Sequence, residues 1–269
     1  MSNKGIYTAL SGAIAQSQRL DTIANNLANT STTGFKKDDQ VFYEYLTANE
    51  KGTDVIQVPK IPASIESFYH MQGGDRGYVD SAGTYTNFEQ GILRPTGNPL
   101  DVALEGHGFL EVLTPNGVRM TRDGSFKVND QGILVSKQGF PVLQSLPGVE
   151  PEQRTITANQ GQITISYSGD VYAGGELAGR LAVVDFEKRD VLQKEGQGLY
   201  KVKNNFEVEP RAVEGAKVHQ GFVEASNVNV VEEMTSLIQA TRAFESTQQA
   251  IKAFDTMNEK LVNVVPKAN

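Results

Sequence analysis

No cysteine occurs anywhere in the chain, which removes disulfides, thiolate metal ligands and cysteine nucleophiles together. That absence leaves the compartment open, because a protein exported unfolded also works without disulfides. Histidine is scarce. The three present, His70, His107 and His219, have no second histidine or carboxylate at ligand spacing, so no metal site is expected. His107, between Gly106 and Gly108, reads as a turn residue. No apolar run approaches the roughly 18 residues of a membrane span. Long basic runs are missing and the net charge is −7, which argues against nucleic acid. Basic residues in the first helix stop at Lys4 and Arg19, too few for a membrane-surface helix. Polar residues Ser11, Gln16, Ser17 and Gln18 interrupt the N-terminus, so no cleaved signal peptide is expected.

Reaction chemistry is equally thin. Gly73-Gly74-Asp75-Arg76-Gly77 lacks the Lys-Ser/Thr of a phosphate-binding loop, and no Gly-x-Ser-x-Gly elbow occurs. Asn129-Asp130-Gln131-Gly132 is oxygen-rich but lacks the terminal bidentate carboxylate of a calcium loop, so it reads as a hairpin turn. No catalytic residue, cofactor or metal is assigned, and the chain reads as a non-enzyme.

What the chain does have is two helical ends. Ile6, Leu10, Ala13, Ser17, Leu20, Ala24 and Leu27 recur at alternating steps of four and three, the stripe of a coiled-coil seam. At 1.5 Å per residue the segment would be about 36 Å long. Alone it is a poor helix: Gly12 costs about 1 kcal/mol against alanine, and helices of this length are marginal in water. Its anchors could contribute about 1.5–3 kcal/mol each only when covered. The C-terminal partner runs from Val230 through Met234, Leu237, Thr241, Phe244, Gln248 and Ile251, skips to Phe254, and continues to Leu261 and Val265. Asn229 with Glu232 resembles a capping box, and Pro266 stands where a stop is expected. Heptad-like ends around a middle of different character suggest a subunit that polymerises through its ends. The seam residues expected to carry this are Ile6, Leu10, Leu20, Leu27, Met234, Leu237, Phe244, Ile251 and Leu261.

Between the ends, residues 36–84 read as an extended connector containing the aromatic patch Val41–Leu46 and carrying at most short strands. From 85 to 215 the signal is β. Runs such as Asp101–Leu104, Phe109–Leu113, Val118–Thr121, Phe126–Val128 and Ile133–Val135 are punctuated by Pro115-Asn116-Gly117, Asp123-Gly124, Asn129–Gly132 and Gln138-Gly139. A second set covers Thr155–Thr157, Gln162–Ser166, Arg180–Phe186 and Leu199–Val202. Closely spaced runs with such turns predict antiparallel hairpins, and the lack of βαβ alternation disfavours a parallel sheet. The expected fold is therefore mixed α and β, with long coiled-coil-like terminal helices flanking an antiparallel β-rich domain. Expected segments are 1–35 (helical), 36–84 (connector), 85–215 (β-rich) and 216–269 (helical).

Ala24-Asn25-Asn26-Leu27-Ala28-Asn29 followed by Thr32-Thr33-Gly34-Phe35-Lys36 resembles the N-terminal motif of bacterial flagellar rod and hook proteins. Ser226-Asn227-Val228-Asn229, Glu233-Met234, Leu237-Ile238 and Arg242–Glu245 resemble that family's C-terminal motif. Pro99–Leu104, Gly108–Leu110 and Thr121–Phe126 are similar to its β domain. The positions carrying the likeness are Asn25, Asn26, Asn29, Thr32, Gly34, Phe35, Ser226, Asn227, Asn229 and Arg242. Ile6–Ala9, Gly179–Leu181 and Gly198–Tyr200 look most like proximal-rod members, whereas the C-terminal helix is closer to distal-rod members.

The resemblance implies a structural subunit of the basal-body rod, exported by the flagellar type III apparatus and polymerised through its ends into a hollow axial structure linking motor to hook. Its implied partners are copies of itself, other rod and hook subunits and the export machinery, without nucleic acid or membrane insertion. Phe42 and Leu46 resemble the short segment by which such subunits dock at the export gate. Two other readings compete. One is a soluble β-rich module that binds glycan or peptidoglycan, its end helices paired within one molecule. The other is a cell-wall-cleaving enzyme, for which no motif nominates a carboxylate.

Overall fold

The computed structural model describes residues 4–46, 77–158, 161–203, 210–213 and 215–264, which fall into two compact units. The first holds the chain up to Asn25, Asp39–Tyr85 and the chain from Val231; the second holds Asn26–Asp38 and Thr86–Val230.

Helix α1 spans Lys4–Ala28 and helix α2 spans Val230–Val264. Both are rich in hydroxyl residues that compete with the helical backbone. That competition is contained by back-bonding: Thr235, Thr241, Thr247 and Thr256 each donate to the carbonyl four residues earlier, at 2.8–2.9 Å. The helices pack together, and a Cβ added at Gly12 would stand 4.0 Å from Thr247 Cγ2. Ala13, Ala15 and Ile23 of α1 and Ala240 of α2 are buried. Two strands, β1 (Asp38–Leu46) and β2 (Gly77–Thr86), pair with each other. Residues 47–76 of the expected connector, and Val265 and Pro266, lie outside the described residues.

The second unit is built from short strands: β3 (Leu93–Pro95), β4 (Val102–Glu105), β5 (Phe109–Thr114), β6 (Gly117–Thr121), β7 (Phe126–Val128) and β8 (Leu134–Ser136). There follow β9 (Ile163–Ile165), β10 (Asp170–Ala173), β11 (Glu176–Arg180), β12 (Val183–Asp185), β13 (Leu192–Gly196) and β14 (Leu199–Val202). The last are β15 (Arg211–Ala212), β16 (Lys217–Gln220) and β17 (Phe222–Glu224). A six-stranded sheet runs β13-β14-β6-β5-β12-β15, and a three-stranded one runs β11-β10-β9. Three pairs complete the unit: β16 with β4, β17 with β3 and β7 with β8. The pairings within this unit whose register is resolved are antiparallel.

Strand β5 shows why the unit has two cores. Side chains alternate across a strand, so Leu110 and Val112 enter a large cluster with Phe126, Leu134, Val142 and Ile156, while Phe109 enters a second with Met120, Phe186 and Tyr200. Glu111, also buried on this strand, is paired with Arg154. Two of the predicted turns form hairpins as expected. Thr114 faces Gly117 across Pro115-Asn116, and the Thr114 hydroxyl donates to the Gly117 carbonyl at 2.8 Å. Between β7 and β8, Asn129 Oδ1 accepts from the amides of Gln131 and Ile133 at 3.0 and 2.8 Å.

Asp123-Gly124 is different, and corrects the expectation of a hairpin turn there. Strands β6 and β7 lie in different sheets, and Gly124 serves close approach. A Cβ on it would stand 1.8 Å from the Val102 carbonyl oxygen, and the Val102 amide donates to the Gly124 carbonyl at 2.9 Å. Gly124→Ala is expected to destabilise the β unit by on the order of 3 kcal/mol, because a backbone atom blocks the new methyl. Urea unfolding followed by tyrosine fluorescence checks this, with Gly12→Ala expected to leave that transition unmoved.

Candidate functional site

A densely bonded part of the second unit is the strap Thr33–Asp38, which follows α1. The turn after the helix leads to Gly34, whose backbone is left-handed at φ +66°. A side chain there would meet Arg122 and Asp123 backbone atoms at 2.5 Å, so only glycine lets the strap lie down. The Gly34 amide donates to the Glu224 carbonyl on β17 at 2.8 Å, and the Thr33 hydroxyl donates to Asp123 Oδ1 at 2.8 Å. Phe35 is buried beneath Lys194 of β13, whose ammonium stands 4.3 Å from the ring centroid.

Lys36 then enters the interior. Its ammonium reaches Glu224 Oε1 at 2.5 Å and the Glu89 carbonyl at 2.6 Å, with 1% of the lysine side chain and none of the glutamate exposed. Glu224 Oε1 also accepts the Gly91 amide at 2.8 Å, and Oε2 pairs with Arg122 at 3.2 Å. Arg122 lies over Phe109 and donates to the Gly106 carbonyl, while its Nε has no acceptor among the described residues. Burial holds both cations below their ordinary pKa, and the Glu224 charge works in the opposite direction.

Two asparagine amides finish the junction by imitating backbone. Asn26, in the last turn of α1, donates from Nδ2 to the Asp38 carbonyl at 2.9 Å and accepts the Asp38 amide on Oδ1 at 3.0 Å. Asn227 accepts the Lys37 amide at 2.7 Å and donates to the carbonyls of Asn87 and Glu89 at 2.9 and 3.2 Å. Asp38 takes the Thr86 hydroxyl at 2.7 Å and Lys194 at 2.8 Å.

Of the motif residues, the junction thus gathers Asn26, Gly34, Phe35 and Asn227. Asn29 Oδ1 accepts the Thr32 hydroxyl at 3.2 Å, and Ser226 Oγ accepts the Val228 amide at 3.3 Å, both locally. Asn25, Asn229 and Arg242 are exposed. Lys36 and Arg122 stood inside recognised motifs without a role. Glu224, Asp38 and Lys194 carried no signal, because only pairing distant in sequence brings them to the strap.

The helices present a second feature. Among the seam residues, Ile6, Leu20, Leu27, Leu237, Phe244 and Ile251 are half-buried, whereas Leu10 and Met234 are exposed. Exposed apolar residues form a stripe at steps of three and four on each helix: Tyr7, Leu10 and Ile14 on α1 and Val231, Met234 and Ile238 on α2. The side chain of Leu261 lies outside the described residues. Phe42 is half-buried on β1, and Leu46 closes that strand with its side chain outside the described residues.

The buried charges of the β unit hold chain segments together, and two long helices stand at the ends of the sequence, the build of a structural protein. No described helix is long and apolar enough to cross a membrane. Residues 6–36 match the family model of the flagella basal body rod protein, 103–173 the D1 domain of the flagellar hook protein FlgE/F/G, and 219–264 the C-terminal region of the flagellar basal body rod FlgEFG protein. The flagellar basal-body rod protein FlgF of Caulobacter vibrioides is 33% identical over 267 residues, covering 99% of this chain and 100% of its own. FlgG of Borreliella burgdorferi is 36% identical over 268 residues, covering 94% and 96%. FlgF of Mesorhizobium japonicum is 32% identical over 261 residues, covering 97% of each. The chain belongs to the flagellar basal-body rod FlgE/F/G family and is a non-enzymatic, structural rod subunit that assembles with other rod subunits.

Glu224→Gln is expected to destabilise the β unit by about 3–5 kcal/mol, since it leaves two buried cations without a counter-charge; denaturant unfolding measures it. A second expectation concerns base. Burial raises the Tyr200 phenol above its ordinary value, so its contribution is intact below the unfolded pKa near about 10 and is lost as pH rises through the folded one. Tyr200→Phe should therefore lessen the loss of stability in base, read from unfolding midpoints across alkaline pH.

Proposed function

We propose that this chain polymerises through its terminal helices into the hollow axial structure between flagellar motor and hook, after export by the flagellar type III apparatus. The observation that carries the reading is the pair of stripes Tyr7-Leu10-Ile14 and Val231-Met234-Ile238, exposed on helices that already pack against one another at Gly12 and Thr247. Each large side chain covered by a neighbouring subunit would contribute about 1.5–3 kcal/mol. The nine seam residues named from sequence, together with these stripes, are the polymerisation surface. A head-to-tail contact that does not close on itself generates a filament rather than a ring.

The proximal-rod position is the finer reading, supported by a match to FlgF over 100% of that relative's length. In this reading Phe42 and Leu46 dock the subunit at the export gate, and the partners are further copies of this chain and the adjoining rod subunits.

Leu10→Asp and Met234→Asp test the proposal. Both positions are exposed, so the soluble chain should keep its unfolding transition, while a carboxylate carried into an apolar interface should abolish assembly. Sedimentation and electron microscopy of rod preparations read the outcome. Rods of normal length containing either variant would overturn the polymerisation surface.

A further inference from the structure

The chain passes between its two units at 25/26, 38/39, 85/86 and 230/231. Within the second unit, a residue at or within three positions of every one of these passages belongs to a single hydrogen-bonded group: Asn26, Asp38, Thr86 and Asn227. The strap connects the first two and lies against the last two. We propose that Thr33–Asp38 is a latch that docks on the β unit and releases from it as one piece, separately from the β core.

Three observations carry this. First, the partners that hold the strap come from scattered places: Asp123, Lys194, Glu224 and Asn227. Asp38 opens β1, but the strap's other backbone bonds run to separate segments, Gly34 to Glu224, Phe35 to Asn227 and Lys37 to Asn87, so each contact is useful only while the others keep the strap in place, the condition for cooperative release. Second, Phe35 is the only buried apolar side chain the strap contributes. The sheet strands instead rest on two apolar clusters, so undocking the strap exposes far less apolar surface than opening the core. Third, the charges allow it to leave. Glu224 has two cations, Lys36 from the strap and Arg122 from the β unit, together with the Gly91 amide. On release Lys36 moves into water while Glu224 keeps Arg122 and Gly91. The step therefore avoids stranding a buried carboxylate, which would otherwise make it prohibitive.

Amide hydrogen exchange on the dilute full-length chain tests the latch independently of assembly. The Gly34, Lys37 and Asp38 amides, bonded to three different residues, should exchange with one common opening equilibrium, faster than the core amides of Glu111, Leu113 and Leu143. Lys36→Met should accelerate all three by about tenfold or more and leave the core amides unchanged. Asn227→Ala, which removes a neutral contact elsewhere on the strap, should accelerate the same set. Acceleration confined to the amide beside the substitution would overturn the proposal by showing that the strap does not open as one piece. Equal acceleration of the core amides, or failure of Lys36→Met to fold, would overturn it by making the strap part of the core.

Discussion

A carboxylate with no exposure to water, on the third-from-last residue before Asn227, accepts a lysine from near one end of the chain and an arginine from its middle. Taking three charges out of solvent is expensive, and such a cluster is tolerated only when geometry and hydrogen bonding are nearly complete. Here Gly91, Glu89 and Gly106 supply the remaining backbone partners. The consequence is positional. A slip of one residue in the strap would take Lys36 out of its pairing with Glu224 and the Glu89 carbonyl, so one register is imposed on segments separated by 188 positions.

The aromatic cluster beneath gives that register a rigid base. Phe88, Phe109 and Tyr200 meet at centroid distances of 5.5–5.6 Å, and Arg122 covers Phe109. Packing of this kind limits side-chain rearrangement. Charge neutralisation and apolar packing therefore act on the same few residues. The helices follow the opposite logic. Gly12 faces Thr247 where they meet, while Tyr7, Leu10, Ile14, Val231, Met234 and Ile238 stay in solvent. Large apolar side chains in solvent gain from burial wherever something covers them.

Membership of the rod family gives these features one meaning. The family models fall on the N-terminal helix with the strap, on the first half of the β unit, and on the last strands with the C-terminal helix. The motif residues Asn26, Gly34, Phe35 and Asn227 have concrete work in this chain: two asparagine amides stand in for backbone, a glycine permits close approach, and a phenylalanine fills the space beneath a lysine.

Local chemistry made much of this legible beforehand. The alternation of threes and fours marks both helices because helical period is written in neighbouring residues, and Pro115-Asn116 and Asn129–Gly132 mark hairpins because turn preference is equally local. Gly124 looked like a turn glycine because turn preference does not distinguish a bend from a close approach to Val102. The exposure of Leu10 and Met234 beside buried Ala13 and Ala240 depended on how the two helices are rotated against each other, which periodicity leaves free. The pairing of Glu224 with Lys36 and Arg122 depended on β17 and the strap meeting across most of the chain, a contact that no short window of residues contains.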